Sequence, residues 1–395
     1  MPSTRNEALV KPELLVWARE SSGLELEDVA HKVQIKPERL LACEQGQAHL
    51  TIPQLRTLSN VYKRPLAFFF LPSPPNPEKS LHDYRKMRHH VSSDTSPTLK
   101  EEIRKAKYRR EIAIDLFQEM GVEPPVFSAT TTLESDANQV AGKIRTLLGA
   151  TLEQQIALKT NYEALNFWRD GIEKSGILVF QASVGLNEVR GFSIWNTPLP
   201  IIVMNTKDMP AARIFTLMHE LTHLMLRATG LCLLDDSNRT EAFCNAVAGA
   251  VLIPEQHFLN ERVISANRGS SEWDESIIKS LAGRYKVSRE VVLRRLLDLR
   301  RTTKKFYQMK MALYEREYDR KERERILSDD SDAVPFYLKT IASAGKTYVR
   351  LVVDSYHQKK INLSDVSQYL GIKLKHLNNI EEAITSPSGF VGELS

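Results

Sequence analysis

The stretch Ile214-Phe215-Thr216-Leu217-Met218-His219-Glu220-Leu221-Thr222-His223-Leu224-Met225-Leu226 carries the pattern His-Glu-x-x-His inside an apolar run. It contains neither Gly nor Pro, and its apolar residues recur at helical spacing, so it predicts a helix with one buried face. Pro210 suits the first turn of this helix, and Gly230 is its expected C-terminal stop. The two histidines are four residues apart and therefore lie on the same face, one turn from each other.

Two imidazoles at this spacing can hold one zinc ion, at about 2.0–2.1 Å from each nitrogen. Glu220 points slightly off the ligand face, where its carboxylate can reach a water activated by the metal. Zinc lowers the pKa of such a water towards ~7, and a carboxylate can take the proton. The pattern predicts His219 and His223 as ligands of one Zn²⁺ per chain and Glu220 as a general base. The alternative is a buried helix that contains two histidines by chance.

A catalytic zinc site needs a third protein ligand, with the fourth position left for water. Glu241 is the candidate because it opens a second apolar helix, which we expect to end near Pro254. Asp235 and Asp236, in the loop between the two helices, are the rival ligands. In the structural alternative Glu241 is an exposed first-turn acid that favours the helix dipole, and the two aspartates belong to a solvated loop.

These motifs together resemble the ImmA/IrrE metallopeptidases. The resemblance rests on the His219 to His223 pentad and the later pattern Glu241-x-x-Cys244-Asn245-x-x-Ala248-x-x-x-Leu252-x-Pro254. Segments 189–193 and 200–205 also match the paired strands that precede the zinc helix in that family. The resemblance implies a zinc peptidase with ligands His219, His223 and Glu241 and the base Glu220. It further implies a protein substrate, a DNA-binding repressor that is cleaved under stress, prophage or defence control.

The composition is typical of a soluble globular protein, with 42% hydrophobic and 26% charged residues. No apolar run approaches the ~18 residues of a membrane span, and no signal-peptide core is present, so we expect a cytoplasmic protein without membrane contact. Three scattered cysteines form neither a disulfide framework nor a Cys-x-x-Cys zinc site. The net charge of +5 permits contact with nucleic acid without requiring it.

Residues 11–71 are predicted to form a bundle of short helices, in which 26–33 and 37–44 flank a tight turn. This arrangement is that of a helix-turn-helix, and the pattern resembles the XRE/Cro-type domains often fused to ImmA/IrrE peptidases. The start of the helix at 37 would then enter the major groove of double-stranded DNA, with Lys36 and Arg39 as candidate contacts and Glu38 as an unfavourable charge. The alternative is a domain that binds the protein partner or a second subunit. In the latter case the protein would be a homodimer.

The expected fold class is mostly α, within α+β: an N-terminal helix-turn-helix bundle, a zincin-like peptidase domain with a small β-sheet, and a helical C-terminal region. Within the peptidase domain, 136–149 and 152–175 are predicted as two helices. Ser288 is expected to cap a later one. The predicted domains are an XRE-like domain (1–71), a Pro-rich polar linker (72–98), the ImmA/IrrE-like peptidase domain (99–260), a helix-turn-helix-like extension (261–327) and a C-terminal helical domain (328–395).

Two further functional hypotheses are compatible with the sequence. One is a DNA-binding transcriptional regulator whose zinc site is structural or inactive. The other is a toxin–antitoxin-like or defence protein that acts mainly by binding a partner. A Glu220→Gln variant distinguishes these two hypotheses from the peptidase hypothesis. If the protein is a peptidase, the variant keeps its zinc but no longer cleaves its substrate; under the regulator hypothesis, the variant changes nothing.

Overall fold

The computed structural model describes residues 7–62, 64, 66–74, 96–185, 188–227, 230–231, 239–267, 271–327 and 335–385. The chain divides into two compact units, residues 1–105 and 106–395. Most of the predicted linker at 72–98 and the acidic stretch at 328–332 lie outside the described residues, as do the rival ligands Asp235 and Asp236. In the described ranges, no helix combines the length and the apolar character needed to cross a bilayer.

The described part of the first unit is a small helical bundle with a short antiparallel β-ladder. Its elements are β1 (Glu7–Ala8), α1 (Pro12–Ser22), α2 (Leu26–Val33), α3 (Pro37–Glu44), β2 (Leu50–Thr51), α4 (Ile52–Val61) and a 3-10 turn (Leu66–Phe70). The predicted bundle of short helices is thus confirmed. Helix α5 (Pro97–Glu119) spans the boundary between the units.

Local sequence explains how the helices of the first unit begin and end. Pro12 and Pro37 occupy first-turn positions, where a missing N–H leaves no hydrogen bond unmade. Thr51 and Gln54 form a capping box at the start of α4. Helix α2 ends at Val33, and the next residue, Gln34, has a φ of 57° that turns the chain towards α3.

The second unit surrounds a small sheet with helices. Its elements are α6 (Ala137–Leu147), α7 (Leu152–Ala157), α8 (Asn161–Lys174), β3 (Leu178–Ala182), β4 (Gly191–Ile194), β5 (Ile201–Asn205), α9 (Pro210–Met225), β6 (Gly230–Leu231), α10 (Arg239–Leu252), α11 (Glu255–Asn260), α12 (Arg262–Ala266), α13 (Glu275–Tyr285), α14 (Arg289–Asp298), α15 (Lys304–Leu327), α16 (Phe336–Ala344), α17 (Lys346–His357), α18 (Leu363–Leu370), a 3-10 turn (Leu374–His376) and α19 (Leu377–Thr385). The predicted fold class, mostly helical within α+β, is therefore confirmed.

The sheet has the strand order β3-β5-β4-β6 and mixes two pairing directions. Strands β3 and β5 are parallel, whereas β4 is antiparallel to both β5 and β6. The predicted pairing of the two strands before the histidine helix is therefore confirmed. Every residue of β3, β4 and β5 is buried, as expected of a sheet covered on both faces.

One hydrophobic core runs from Phe127 to Tyr314 and includes α9, α10, α13 and α14. The predicted peptidase domain and the predicted 261–327 extension therefore share one core. Further along the chain, α16 packs against the edge strand β3, where Ser343 donates a hydrogen bond to the Gln181 carbonyl. The finer domain boundaries inside this unit stay predictions.

Two predicted features of the second unit are wrong. The helix expected at 152–175 is interrupted, because Thr160 and Glu163 cap a new helix: the Thr160 hydroxyl accepts from the Glu163 N–H, and the Glu163 carboxylate accepts from the Lys159 N–H. Gly230 is not a helix stop. Helix α9 already ends at Met225, Arg227 takes the left-handed conformation that reverses the chain, and Gly230 pairs with Ser193 in the sheet.

Candidate metal centre

Helix α9 holds His219 and His223 inside the protein rather than on its surface. The helix packs against α8, α10, β4 and β5, and every residue from Thr216 to Met225 is buried. Its apolar residues face the core on several sides, which fixes the rotation of the helix about its axis. Both imidazoles are nearly inaccessible to solvent, at 1% and 3% exposure. Such burial of polar rings requires partners, and the neighbouring helix supplies them.

Helix α10 brings Glu241 to the two histidines. Its inward face consists of small or slender residues, which allow the close approach of two helices: Cys244, Val247, Ala248 and Val251 are all fully buried. Glu241 lies in the first turn, and its Oε2 is 3.1 Å from His219 Nε2. Its other oxygen, Oε1, is 3.2 Å from His223 Nε2. One carboxylate therefore faces both rings.

The geometry of these three side chains fits a tetrahedral metal site. The two Nε2 atoms are 3.0 Å apart, and one ligand atom from each residue lies within 4.8 Å of the others. Ligands at about 2.0–2.1 Å in a tetrahedron are separated by about 3.3 Å, so an ion fits after an outward shift of a few tenths of an ångström. Of the described residues, only His219, His223 and Glu241 form such a group. The donor set can hold a metal ion such as zinc.

Asn245 orients the first of these imidazoles. Its Oδ1 lies 2.9 Å from His219 Nδ1, and since a carbonyl oxygen only accepts, His219 must donate its Nδ1–H there. In the neutral ring the Nε2 lone pair is then directed at the site, which is the arrangement that metal-bound histidines require. His223 Nδ1 is buried and has no hydrogen-bond partner in the described part of the chain.

The electrostatics of Glu241 suit a ligand. In the metal-free site, burial acts to raise its pKa, but the hydrogen bonds that His219 and His223 donate when they are protonated at Nε2 outweigh the burial and bring the pKa to about 2. The carboxylate is therefore ionised at neutral pH. A metal-binding carboxylate must be deprotonated, so no proton has to leave Glu241 before an ion binds.

Glu220 lies beside the cluster in a different environment. It is fully buried, and neither carboxylate oxygen meets a hydrogen-bond partner among the described residues. Burial raises its pKa to about 7, against the opposing effects of His223 and the Ser193 hydroxyl. A carboxylate whose pKa lies near neutrality can both accept and return a proton, which is what a general base needs.

Strand β4 forms the wall against which Glu220 lies. A Cβ on Gly191 would overlap the Thr216 methyl group and lie 3.8 Å from Glu220 Cγ, so only glycine allows this approach of strand and helix. Ser193 is two residues further along and points to the same face. Ser193 is fully buried, and its hydroxyl has no well-aligned hydrogen bond to any described residue. The hydroxyl is nevertheless close enough to lower the pKa of Glu220.

A cleft of about 210 Å³ opens next to the cluster. Its lining includes His219 and Glu241, whereas Glu220 does not belong to it. The remaining lining comes from α9, α10, α14, α15 and the residues that precede β4 and α14: Arg190, Ala212, Phe215, Thr216, Asn245, Ser288, Glu290, Val291, Arg294, Tyr307 and Met311. Ser288 caps α14 as predicted, by accepting from the Val291 N–H.

The candidate DNA contacts lie in the first unit. Lys36 and Arg39 are exposed at the start of α3, and so is Glu38 between them. No described residue forms an ion pair with either cation at this position.

The sequence alone did not predict three residues of the site: Asn245 beside His219, Ser193 beside Glu220, and Glu290 in the lining of the cleft. Asn245 could have been suspected, since it lies one turn after Glu241. Ser193 and Glu290 gave no signal, because their positions depend on contacts between distant segments.

Comparison with known proteins identifies the same part of the chain. Residues 172–297 match the family model described as Peptidase_M78, the IrrE N-terminal-like domain. A search of curated proteins gives no match. The matched range contains β4, α9, α10 and nearly all of α14, and with them the three clustered donors, Glu220 and every cleft-lining residue except Tyr307 and Met311. This segment is thus similar to the IrrE N-terminal-like domain, a metallopeptidase domain of the ImmA/IrrE type.

Proposed function

We propose that this protein is a cytoplasmic zinc-dependent metallopeptidase that cleaves a specific protein partner. The observation that carries the proposal is the convergence of His219, His223 and Glu241 within 3.2 Å of one another, beside the buried carboxylate of Glu220. The similarity of residues 172–297 to a peptidase domain supports it. The partner class, a DNA-binding transcriptional repressor, is inferred from the resemblance to ImmA/IrrE peptidases.

In this mechanism His219, His223 and Glu241 hold the metal, and Asn245 keeps His219 in the correct tautomer. A bound zinc ion would supply the Lewis acidity that activates water and polarises the scissile carbonyl. Glu220 takes a proton from the attacking water and returns it to the leaving amine. Burial raises the pKa of this carboxylate in the metal-free site, which makes it a better proton acceptor than an exposed carboxylate. The cleft beside His219 and Glu241 receives the substrate.

The test is a search for newly formed protein N-termini in a lysate of the cells from which the protein comes. The zinc-loaded wild type is compared with Glu220→Gln, which keeps all three ligands but has no base. The matched control is Glu153→Gln, which makes the same change on an exposed residue of α7. We expect one or a few new termini with the wild type and the control, in a DNA-binding protein, and none with Glu220→Gln. Equal termini with Glu220→Gln would refute the assigned base.

The alternatives make different predictions in the same experiment. A partner that co-purifies intact with the wild type, and stays bound after zinc is removed, would indicate a toxin–antitoxin-like binding protein. Retention of zinc in every variant with no cleavage and with DNA binding would indicate a transcriptional regulator with a structural metal.

DNA binding by the first unit is a second candidate function, favoured by the exposed cations Lys36 and Arg39 at the start of α3. The proposal predicts that the protein retards a pool of randomised DNA duplexes in a gel-shift assay. Lys36→Ala and Arg39→Ala should each weaken binding and reduce the slope of log affinity against log salt concentration by about 1, as expected for the loss of one phosphate contact. Glu38→Gln should strengthen binding, since it removes a charge that repels phosphate. Unchanged binding in all three variants would assign the unit to protein contacts.

A further inference from the structure

The cleft beside the candidate metal centre is smaller than a typical pocket for a small molecule. Its volume of about 210 Å³ corresponds to roughly seven water molecules. Pockets for small molecules are typically ~300–1,000 Å³. The cleft therefore has room for one or two side chains of an extended peptide, next to the bond that the site would cut.

Besides Glu241 of the metal cluster, the cleft lining carries three charged side chains, and two of them, Arg190 and Arg294, are paired with acids. Arg190, which directly precedes β4, has its Nη1 3.3 Å from Asp208 Oδ2, and Asp208 is buried. Arg294, from α14, has its Nε 3.4 Å from Asp298 Oδ1. Each guanidinium thus has its own carboxylate.

Glu290, on α14, is the exception. It is half-buried and forms no hydrogen bond or ion pair with any described residue. Its position in the first turn of α14 favours a negative charge through the helix dipole, without using its carboxylate oxygens. Burial raises its pKa, and Arg190 opposes this effect. The carboxylate therefore lies at the wall of the cleft with its acceptor sites unused.

The cations near Glu290 are already engaged with other carboxylates. Besides Arg190, the groups that act on Glu290 are Asp208, Arg289 and Glu315. Arg289 is itself held by two carboxylates, Glu275 and Glu317, each at 2.7 Å. The two guanidiniums that act on Glu290 are thus already paired with other acids, and neither forms an ion pair with the Glu290 carboxylate.

The rest of the lining accommodates a long aliphatic chain. Phe215, Val291, Tyr307 and Met311 present apolar surface to the cleft. Lysine and arginine side chains bury their methylene stems on such surfaces and keep the charged group at a polar partner.

We propose that Glu290 is a specificity-determining residue, which binds the ammonium or guanidinium group of a lysine or arginine side chain adjacent to the scissile bond. This inference rests on the proposed peptidase function. It adds that the cleft accepts a basic side chain, and that one carboxylate outside the metal centre determines this preference.

The test compares zinc-loaded wild type with Glu290→Gln and Glu290→Lys on a synthetic library of short, end-blocked peptides with randomised positions. Cleavage products are sequenced by mass spectrometry. We expect Lys or Arg to be enriched at one position next to the cleaved bond by the wild type. Glu290→Gln should lose about tenfold or more of this preference, because hydrogen bonds to charged groups contribute about 1.5–3 kcal/mol. Glu290→Lys should select Asp or Glu instead.

The matched control is Glu153→Gln, which makes the same change on an exposed residue of α7 that neither lines the cleft nor is among the charges acting on Glu290. It should keep the wild-type preference. Zinc content should be the same in all variants, since Glu290 is not among the clustered donors. Cleavage without a basic preference, or with a preference that survives Glu290→Gln, would overturn the inference and leave the peptidase function standing.

A second measurement separates this inference from the proposed function. Fluorescence anisotropy follows the binding of a labelled Lys-containing peptide and of its Glu-substituted counterpart to the zinc-loaded Glu220→Gln protein, with and without Glu290→Gln. Tighter binding of the basic peptide that depends on Glu290 supports the inference even when no peptide is cleaved. Equal binding of both peptides, whether or not cleavage occurs, refutes it.

Discussion

Replacing Gly191 with alanine tests how closely strand β4 must approach helix α9. The added Cβ would overlap the Thr216 methyl group and lie 2.9 Å from the Val203 carbonyl oxygen. The second neighbour is backbone in the adjacent strand, so a side-chain rotation cannot relieve it. Overpacking of this kind costs about 1–3 kcal/mol, and a rigid backbone neighbour places this site at the upper end. For a unit of this size we expect a fall in melting temperature of roughly 5–10 °C.

The assay is thermal unfolding followed by circular dichroism, with two comparisons. Gly142→Ala makes the same change in helix α6, where a Cβ meets no atom within 4 Å, and should stabilise the protein by about 0.5–1 kcal/mol. Thr216→Ser removes the clashing methyl group but keeps the hydroxyl that donates to the Ala212 carbonyl. The double variant should therefore recover part of the loss. A Gly191→Ala protein as stable as the wild type would refute this account of β4.

Three further predictions concern the site and the helices around it. Asn245→Ala should weaken zinc binding by about 10–100-fold in a chelator competition without unfolding the protein, because His219 loses the acceptor that orients it; unchanged affinity would exclude that role. Ser193→Ala should keep its zinc but slow hydrolysis by about five- to tenfold, since Glu220 loses its neighbouring hydroxyl; Ser193→Thr should restore most of the rate. Glu173→Ala should reduce the free energy of unfolding in urea by about 3–5 kcal/mol, because it leaves the buried Arg169 without its ion pair. Adding Arg169→Met should recover part of that loss.

The histidine helix and its partner could be predicted from the sequence because both depend on local patterns. The His-Glu-x-x-His spacing, the apolar periodicity and Pro210 together predict α9, which begins at Pro210 as expected. Glu241 could be placed at the start of the following helix for the same reason. Helix capping by Ser288 is also a local feature, and it is confirmed.

The features that were missed depend on contacts between distant parts of the chain. Gly230 looks like a helix stop in isolation, but it is used for pairing with Ser193. The sheet order cannot be read from the sequence, since β3 and β5 pair in parallel although β4 lies between them in the chain. The cleft wall is the clearest example: Glu290 lines the same cleft as His219 and Glu241, and α10 and α14 share one core.

The helix 152–175 was overextended because its apolar periodicity continues through the break. The polar groups of Thr160 and Glu163 form hydrogen bonds that end one helix and start the next. Local side-chain capping of this kind competes with helix continuation, and periodicity alone does not report it.

The most direct test of the central claim is the zinc content of the purified protein, determined by elemental analysis for the wild type, His223→Ala and Glu241→Ala. The control is His257→Ala, which removes an exposed histidine of α11. We predict about one zinc ion per chain in the wild type and the control, and loss of zinc in both ligand variants. Wild-type protein that binds no zinc after metal is added, or a Glu241→Ala variant that keeps its zinc, would contradict the account.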